Sequence, residues 1–473
     1  MNAEALAFLT ENHPEGRERP AWQRVLEPEK ARAALSMART VASRLRERSQ
    51  IEAAVAAAEK QTAYPLGVRW LPHGVAQGYA GLSILWGYLD ACFKDEGWDR
   101  VGHHHLEWAA RGAEQRDFLP ASLFSGLSGL AFATWYLSRG GTRYRRMLAA
   151  VEEALFPETD NIAEELAQSK QGVPLSHFDV ISGLAGAGAY LLCRREQPGA
   201  AAALKRVLVS LVEMSAEEDG LPRWHTPARL MFDDLMLEQY PDGNLNCGLA
   251  HGIPGPLALL ALAHSAGVKL NGLAEAIDRL AAWLVQHQLR DEWGTTWPIA
   301  VPLVQSGDGE GKLVETFDDD ADSEWSLGAS RTAWCYGSPG VARSLWLAGQ
   351  AINRPAYSTL AVEAMEAIYQ KPVAERQIDS PTFCHGVAGL LQITLRFAHD
   401  TGLTLFRDAA LDLSDQLLSL YEPETLLGFR SVEHFGRRVD QPGLLDGAPG
   451  TALVLLAAAT DVEPVWDRLF LLS

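Results

Sequence analysis

The stretch "TFCHGVAG" puts Cys384 beside His385, and "TAWCYGSPG" puts Cys335 forty-nine residues earlier. Two thiols and an imidazole suit zinc, which accepts sulfur and nitrogen in a tetrahedral site. Three protein ligands leave its fourth position open for chemistry, whereas four would close it as a structural site. Core filling is the competing account, because unpaired cysteines are commonly buried as small apolar residues. The five cysteines, Cys92, Cys193, Cys247, Cys335 and Cys384, are odd in number and widely scattered, which does not suggest a disulfide framework. Cys247 and His251 stand one helical turn apart in "NCGLAHGIPG" and could add a further ligand. Cys247, however, precedes its glycine by five residues, whereas Cys335 and Cys384 precede theirs by two, so Cys247 is expected to fill core.

Those offsets are comparable because the residues sit in a repeat. A Gly-x-x-Gly element followed by an apolar stretch of helical length begins at Gly78, Gly126, Gly183, Gly252, Gly337, Gly386 and Gly447, with successive spacings of 48, 57, 69, 85, 49 and 61 residues. A period near fifty with insertions fits a repeated helical hairpin. The glycines are expected to permit positive-φ turns and close backbone approach, ahead of helices buried on nearly all sides. Amphipathic stretches such as residues 274–289 and 357–370 lie between copies and read as outer helices with one wet face. Seven inner and seven outer helices suggest an all-α closed double ring with the turns gathered at one end. An open solenoid is the alternative, because a period does not reveal closure.

The expectation is a single domain over residues 1–473. Residues 1–70 would form an N-terminal helical extension, and residues 213–246 and 291–329 would be loop insertions with short β-prone pieces. If the turns converge, Asp179, His251, Arg331, Trp334, Tyr336 and Asp446 converge with the two cysteines. "HHH" at 103–105 reads as a polar tract, since consecutive imidazoles on a helix point in different directions.

A formal net charge of −19 argues against nucleic acid, and the basic run at 39–50 reads as a solvated helix face. A cationic partner fits better. The acidic residues at 318–324 could attract one or could simply be a solvated run. No secretory signal opens the chain, and its longest uncharged run is interrupted by His, Pro and Gly, so a cytoplasmic protein with no transmembrane segment is expected.

"FDVISGLAG", "LAHGIPG", "WCYGSPG" and "CHGVAG" resemble the lanthionine synthetase C-like family of lanthipeptide cyclases, and the glycine turns extend the resemblance over about residues 70–460. It implies an α/α toroid and one zinc ion on Cys335, Cys384 and His385. It also implies a catalytic aspartate, histidine and arginine at Asp179, His251 and Arg331. The implied reaction is addition of precursor-peptide Cys thiols to dehydroalanine or dehydrobutyrine, forming lanthionine or methyllanthionine. His251 would be the acid/base, Asp179 its orienting or proton-relaying partner, and Arg331 a nearby positive group. Without the resemblance, Asp179 reads equally as a helix N-cap and Arg331 as a salt bridge to the acidic loop.

Nothing before residue 70 has the length of a kinase, lyase or dehydratase domain, which resembles the stand-alone class I type. That type implies a dehydrated precursor peptide, a separate dehydratase and a transporter as partners, with any membrane association arising through such a complex. Two rival readings stay open. One is an enzyme adding glutathione to dehydroamino acids in proteins, and the other is a non-catalytic, zinc-containing peptide-binding scaffold.

Overall fold

Each of the seven glycine elements is followed within two residues by an apolar helix, and the reason lies in the turn before it. In the computed structural model, which describes residues 20–231, 234–305, 313–315 and 331–473, the backbone doubles back ahead of each helix. The first helical N–H groups have no intrahelical acceptor, and the returning strand supplies one. Leu127, Ile253, Val387 and Ala448 each donate to the carbonyl seven residues earlier, that of Pro120, Asn246, Ser380 and Gln441 respectively.

That approach leaves no room for a side chain. A Cβ on Gly126 would lie 2.1 Å from the Pro120 carbonyl oxygen, and one on Gly129 would lie 2.0 Å from that of Leu123. Close approach, not positive φ, is therefore what most of these positions demand. Gly78, Gly126, Gly183, Gly386 and Gly447 have extended backbones, and the expected positive φ occurs among the leading glycines at Gly337, with φ of 109°.

The longer helices among the described residues, in chain order, are α1 (Pro28–Arg44), α2 (Arg48–Gln61), α3 (Tyr79–Cys92), α4 (Trp98–Glu114), α5 (Leu127–Tyr136), α6 (Arg145–Gln168), α7 (Leu184–Cys193), α8 (Pro198–Met214), α9 (Pro254–Ser265), α10 (Leu273–Gln286), α11 (Ser338–Ala351), α12 (Pro355–Gln370), α13 (Val387–Thr401), α14 (Thr404–Ser419) and α15 (Ala448–Ala459). The odd-numbered helices from α3 onward follow the glycine turns and are buried nearly all round. Polar α4, α8, α10, α12 and α14 each pack one face on the inner helix before them.

The described residues divide into two compact units, Leu155–Pro372 with Phe470–Leu472, and residues 20–154 with Val373–Leu469. In the first, α7 packs on α9 and α9 on α11. In the second, α13 packs on α15, α15 on α3, and α3 on α5. The last copy of the repeat thus lies beside the first, which an open solenoid would not allow.

The cover for α15 comes from α1. Ala31, Ala34, Ala38, Val41 and Ala42 face inward at three- and four-residue intervals. Small side chains let the two helices approach closely. Just ahead of α1, Trp22 Nε1 donates to the Ala457 carbonyl at 3.0 Å, and the Val25 and Leu26 amides donate to that of Ala458. These are carbonyls of the last turn of α15, which have no acceptor role within the helix.

Short strands occur within residues 213–246 and 291–329. Thr226–Pro227, Gly243–Asn246, Ala300–Gln305 and Leu313–Glu315 form an antiparallel sheet in chain order. The second strand runs directly into the fourth glycine turn. The acidic run at 318–324 lies outside the described residues.

Candidate active site

The turns share a register that decides what each presents. Two residues before the leading glycine, the backbone is tied to the neighbouring turn. Ala76 N–H and Phe124 C=O, Leu445 N–H and Ala76 C=O, and Cys384 N–H and Leu445 C=O are bonded in one unit, and Ala250 N–H and Cys335 C=O in the other. One residue before the glycine stand Gln77, Ser125, Ser182, His251, Tyr336, His385 and Asp446, all polar. Every turn therefore contributes one polar side chain from one equivalent position.

Cys335 and Cys384 both occupy the backbone-tied position, and His385 the polar one. Among the described residues, one group of His, Cys, Asp and Glu has the closeness a metal requires. It is Cys335, Cys384 and His385, whose donor atoms all lie within 4.8 Å of one another. A separation of that size spans a tetrahedral ion with sulfur and nitrogen ligands at about 2.0–2.3 Å. Cys335 is buried, while Cys384 and His385 are half-buried. Nδ1 of His385 lies 3.4 Å from Oδ1 of Asp446, and the Cys384 thiol also hydrogen-bonds that carboxyl. Burial pushes the Asp446 carboxyl up, against the opposing pull of His385 and of the Cys384 bond.

His251 and Asp179 meet directly, with Nδ1 to Oδ2 at 2.7 Å. Asp179 is buried beneath a half-buried His251. Its other oxygen, Oδ1, accepts from the amides of Ser182 and Gly183 at 2.7 and 2.8 Å, ahead of α7. The N-cap of α7 is Gly183 and takes no side-chain bond, so Asp179 does not cap the helix; one oxygen ties down the turn ahead of it and the other meets His251. Backbone bonds support the pair: Val180 N–H donates to Ala250 C=O, and Gly186 N–H to Asp179 C=O.

The Tyr336 ring centre lies 6.2 Å from that of His251, with the planes tilted by 31°. Asn246 holds the phenol, Nδ2 to Oη at 3.2 Å, while its Oδ1 accepts from the Gly248 amide. Gly248 makes room for the ring, since a Cβ there would stand 2.5 Å from Tyr336 Cδ1. Asn246 was not legible as a site residue, and its only sequence mark is its place in "NLNCG". Arg331 is half-buried at the entry to the fifth turn and has no hydrogen bond or ion pair among the described residues.

Several other features resolve plainly. Cys247 is buried, its thiol faces the Leu245 carbonyl, and burial pushes its pKa well up, so it fills core. Trp334 is fully buried and donates to the Phe470 carbonyl at 3.1 Å, which makes it turn packing. The three histidines of the tract diverge. His103 stacks on Tyr144, His104 lies near Glu107 on the surface, and His105 is buried against Trp86 and Trp108. No helix among the described residues is long and apolar enough to cross a membrane.

Residues 69–471 match the model of the lanthionine synthetase C-like protein family. The nisin biosynthesis protein NisC of Lactococcus lactis subsp. lactis is 24% identical over 361 residues, which is 75% of this chain and 81% of that protein. The solved structure of nisin cyclase matches with a TM-score of 0.71 at 21% identity, covering 90% of this chain and 97% of that one. That likeness gives the fold, an α/α toroid.

Proposed function

Because the chain belongs to the lanthionine synthetase C-like family, we propose that it is a zinc-dependent lanthipeptide cyclase acting on a dehydrated precursor peptide. The observation that carries this reading is the Cys335, Cys384 and His385 donor set, two thiols and one imidazole within 4.8 Å. Three ligands suit a zinc site with one open position. When bound there, zinc supplies a Lewis-acidic centre that favours a substrate thiol in its thiolate form at neutral pH.

The reaction adds S–H across a carbon-carbon double bond. Sulfur bonds to the β-carbon of dehydroalanine or dehydrobutyrine, the electron pair moves onto the adjoining carbonyl as an enolate, and a proton then joins the α-carbon. The product has the mass of the substrate, with one thiol fewer and one ring more. His251, with Nδ1 bound to Asp179, would act through Nε2, taking the thiol proton or delivering one to the enolate. Asp179 fixes the imidazole's orientation and tautomer. Arg331, with a positive charge not neutralised by any described neighbour, would stabilise the enolate oxygen.

The dehydroamino acids must come from a separate dehydratase reaction in the same compartment, and a transporter would take the finished product. A cytoplasmic location, alone or in such a complex, accords with this order.

The test is to incubate the zinc-loaded protein with a dehydrated peptide carrying one cysteine and to follow alkylatable thiol and peptide mass together. Loss of thiol at unchanged mass is the expected result. Thiol loss no faster than without protein would refute the cyclase reading. Adducts formed on a dehydrated protein only when glutathione is supplied would favour the glutathione-adding alternative instead.

A further inference from the structure

We propose that Asp446 is a positioning residue for the metal site, a carboxylate that orients the His385 imidazole. The inference rests on the zinc reading above and adds to it a residue outside the donor set.

Three observations carry it. The first is register. Asp446 stands one residue before Gly447, as His385 stands one before Gly386, and the two turns are joined by the Cys384 N–H to Leu445 C=O bond at 3.1 Å. The repeat therefore delivers this carboxylate to the neighbour of the turn that holds two of the ligands. The second is contact. Oδ1 of Asp446 is 3.4 Å from Nδ1 of His385. The third is an unmet demand. Oδ1 is sequestered from solvent and has no hydrogen-bond partner among the described residues.

A buried oxygen without a partner is costly. A small reorientation of His385 would supply the missing donor. Histidines that bind metals commonly engage a carboxylate through the second ring nitrogen, which fixes the ring and its tautomer.

The experiment measures zinc per chain and zinc affinity, by competition with a chromogenic chelator, for the wild type, Asp446→Ala and Asp446→Asn. The circular dichroism and thermal midpoint of each metal-free protein are recorded alongside. The expected result is metal-free folding like the wild type with zinc affinity lowered roughly 10- to 100-fold in Asp446→Ala. Asp446→Asn, which keeps the shape and one acceptor oxygen, should lose less. If Asp446→Ala does not fold, the affinity of Asp446→Asn decides, and a value equal to wild type overturns the inference. Wild-type affinity in both variants overturns it as well. A wild type that binds no zinc would instead refute the metal reading on which it rests.

Discussion

A single carboxylate, that of Asp179, joins a helix to a catalytic candidate: Oδ2 lies 2.7 Å from Nδ1 of His251, while Oδ1 receives the Ser182 and Gly183 amides ahead of α7. The two oxygens do separable work, so substitutions should separate their effects.

Asp179→Asn can keep an acceptor oxygen toward the two amides, but it presents an amide N–H₂ or a neutral oxygen to His251 and removes the charge that holds the imidazole. The rate of thiol consumption should fall by roughly 10²- to 10⁴-fold, the size of a general acid–base contribution. Stability should change by less than about 1 kcal/mol. Asp179→Ala loses both oxygens and should cost about 1–2 kcal/mol more in urea unfolding. Equal stability of the Asn and Ala variants would show that the Ser182 and Gly183 bonds contribute nothing.

His105 predicts a pH dependence unrelated to catalysis. It is buried with Nε2 3.2 Å from the Arg46 carbonyl, and burial lowers its pKa to about 4 from 6.5. The folded protein therefore binds this proton less readily than the unfolded chain does, so stability rises with pH between those values. The contribution is complete above pH 6.5 and is lost as pH falls toward 4. From pH 6.5 to 5 the loss from this group is about 2 kcal/mol. His105→Phe lacks the titrating group, so its urea midpoint should fall less than that of the wild type between pH 7.5 and 5. Parallel curves for the two proteins would contradict the assignment.

Trp22 predicts how strongly the N-terminal segment holds the last inner helix. The ring is buried and its Nε1–H is bound to Ala457. Trp22→Ala should destabilise the protein by about 3–5 kcal/mol through the cavity alone, and the freed carbonyl adds to it. Hydrogen exchange should accelerate first at the C-terminal end of α15. Uniform acceleration through all helices of that unit would mean that the segment is not a local clasp.

What the sequence by itself determined was everything that depends on local period and spacing. Each Gly-x-x-Gly element marks a helix start to within two residues, because a buried apolar helix and the turn ahead of it are coded by neighbouring residues. The equivalence of Cys335 and Cys384 followed from the same count. The glycines were legible as glycines but not in their purpose. Positive φ is a local property, whereas the collisions that forbid a Cβ at Gly126 or Gly129 involve a strand that has already turned back.

Only the tertiary structure decided which elements become neighbours across long separations. That α15 packs on α3 and takes its cover from α1 is a contact between chain ends, and a period carries no information about where it stops. The partition of Asp179 between a helix and His251, the Asn246 bond to Tyr336, and the placement of Asp446 beside His385 likewise depend on which turn lies against which. A side chain's chemistry is written in its residue type, but its partner is chosen by packing.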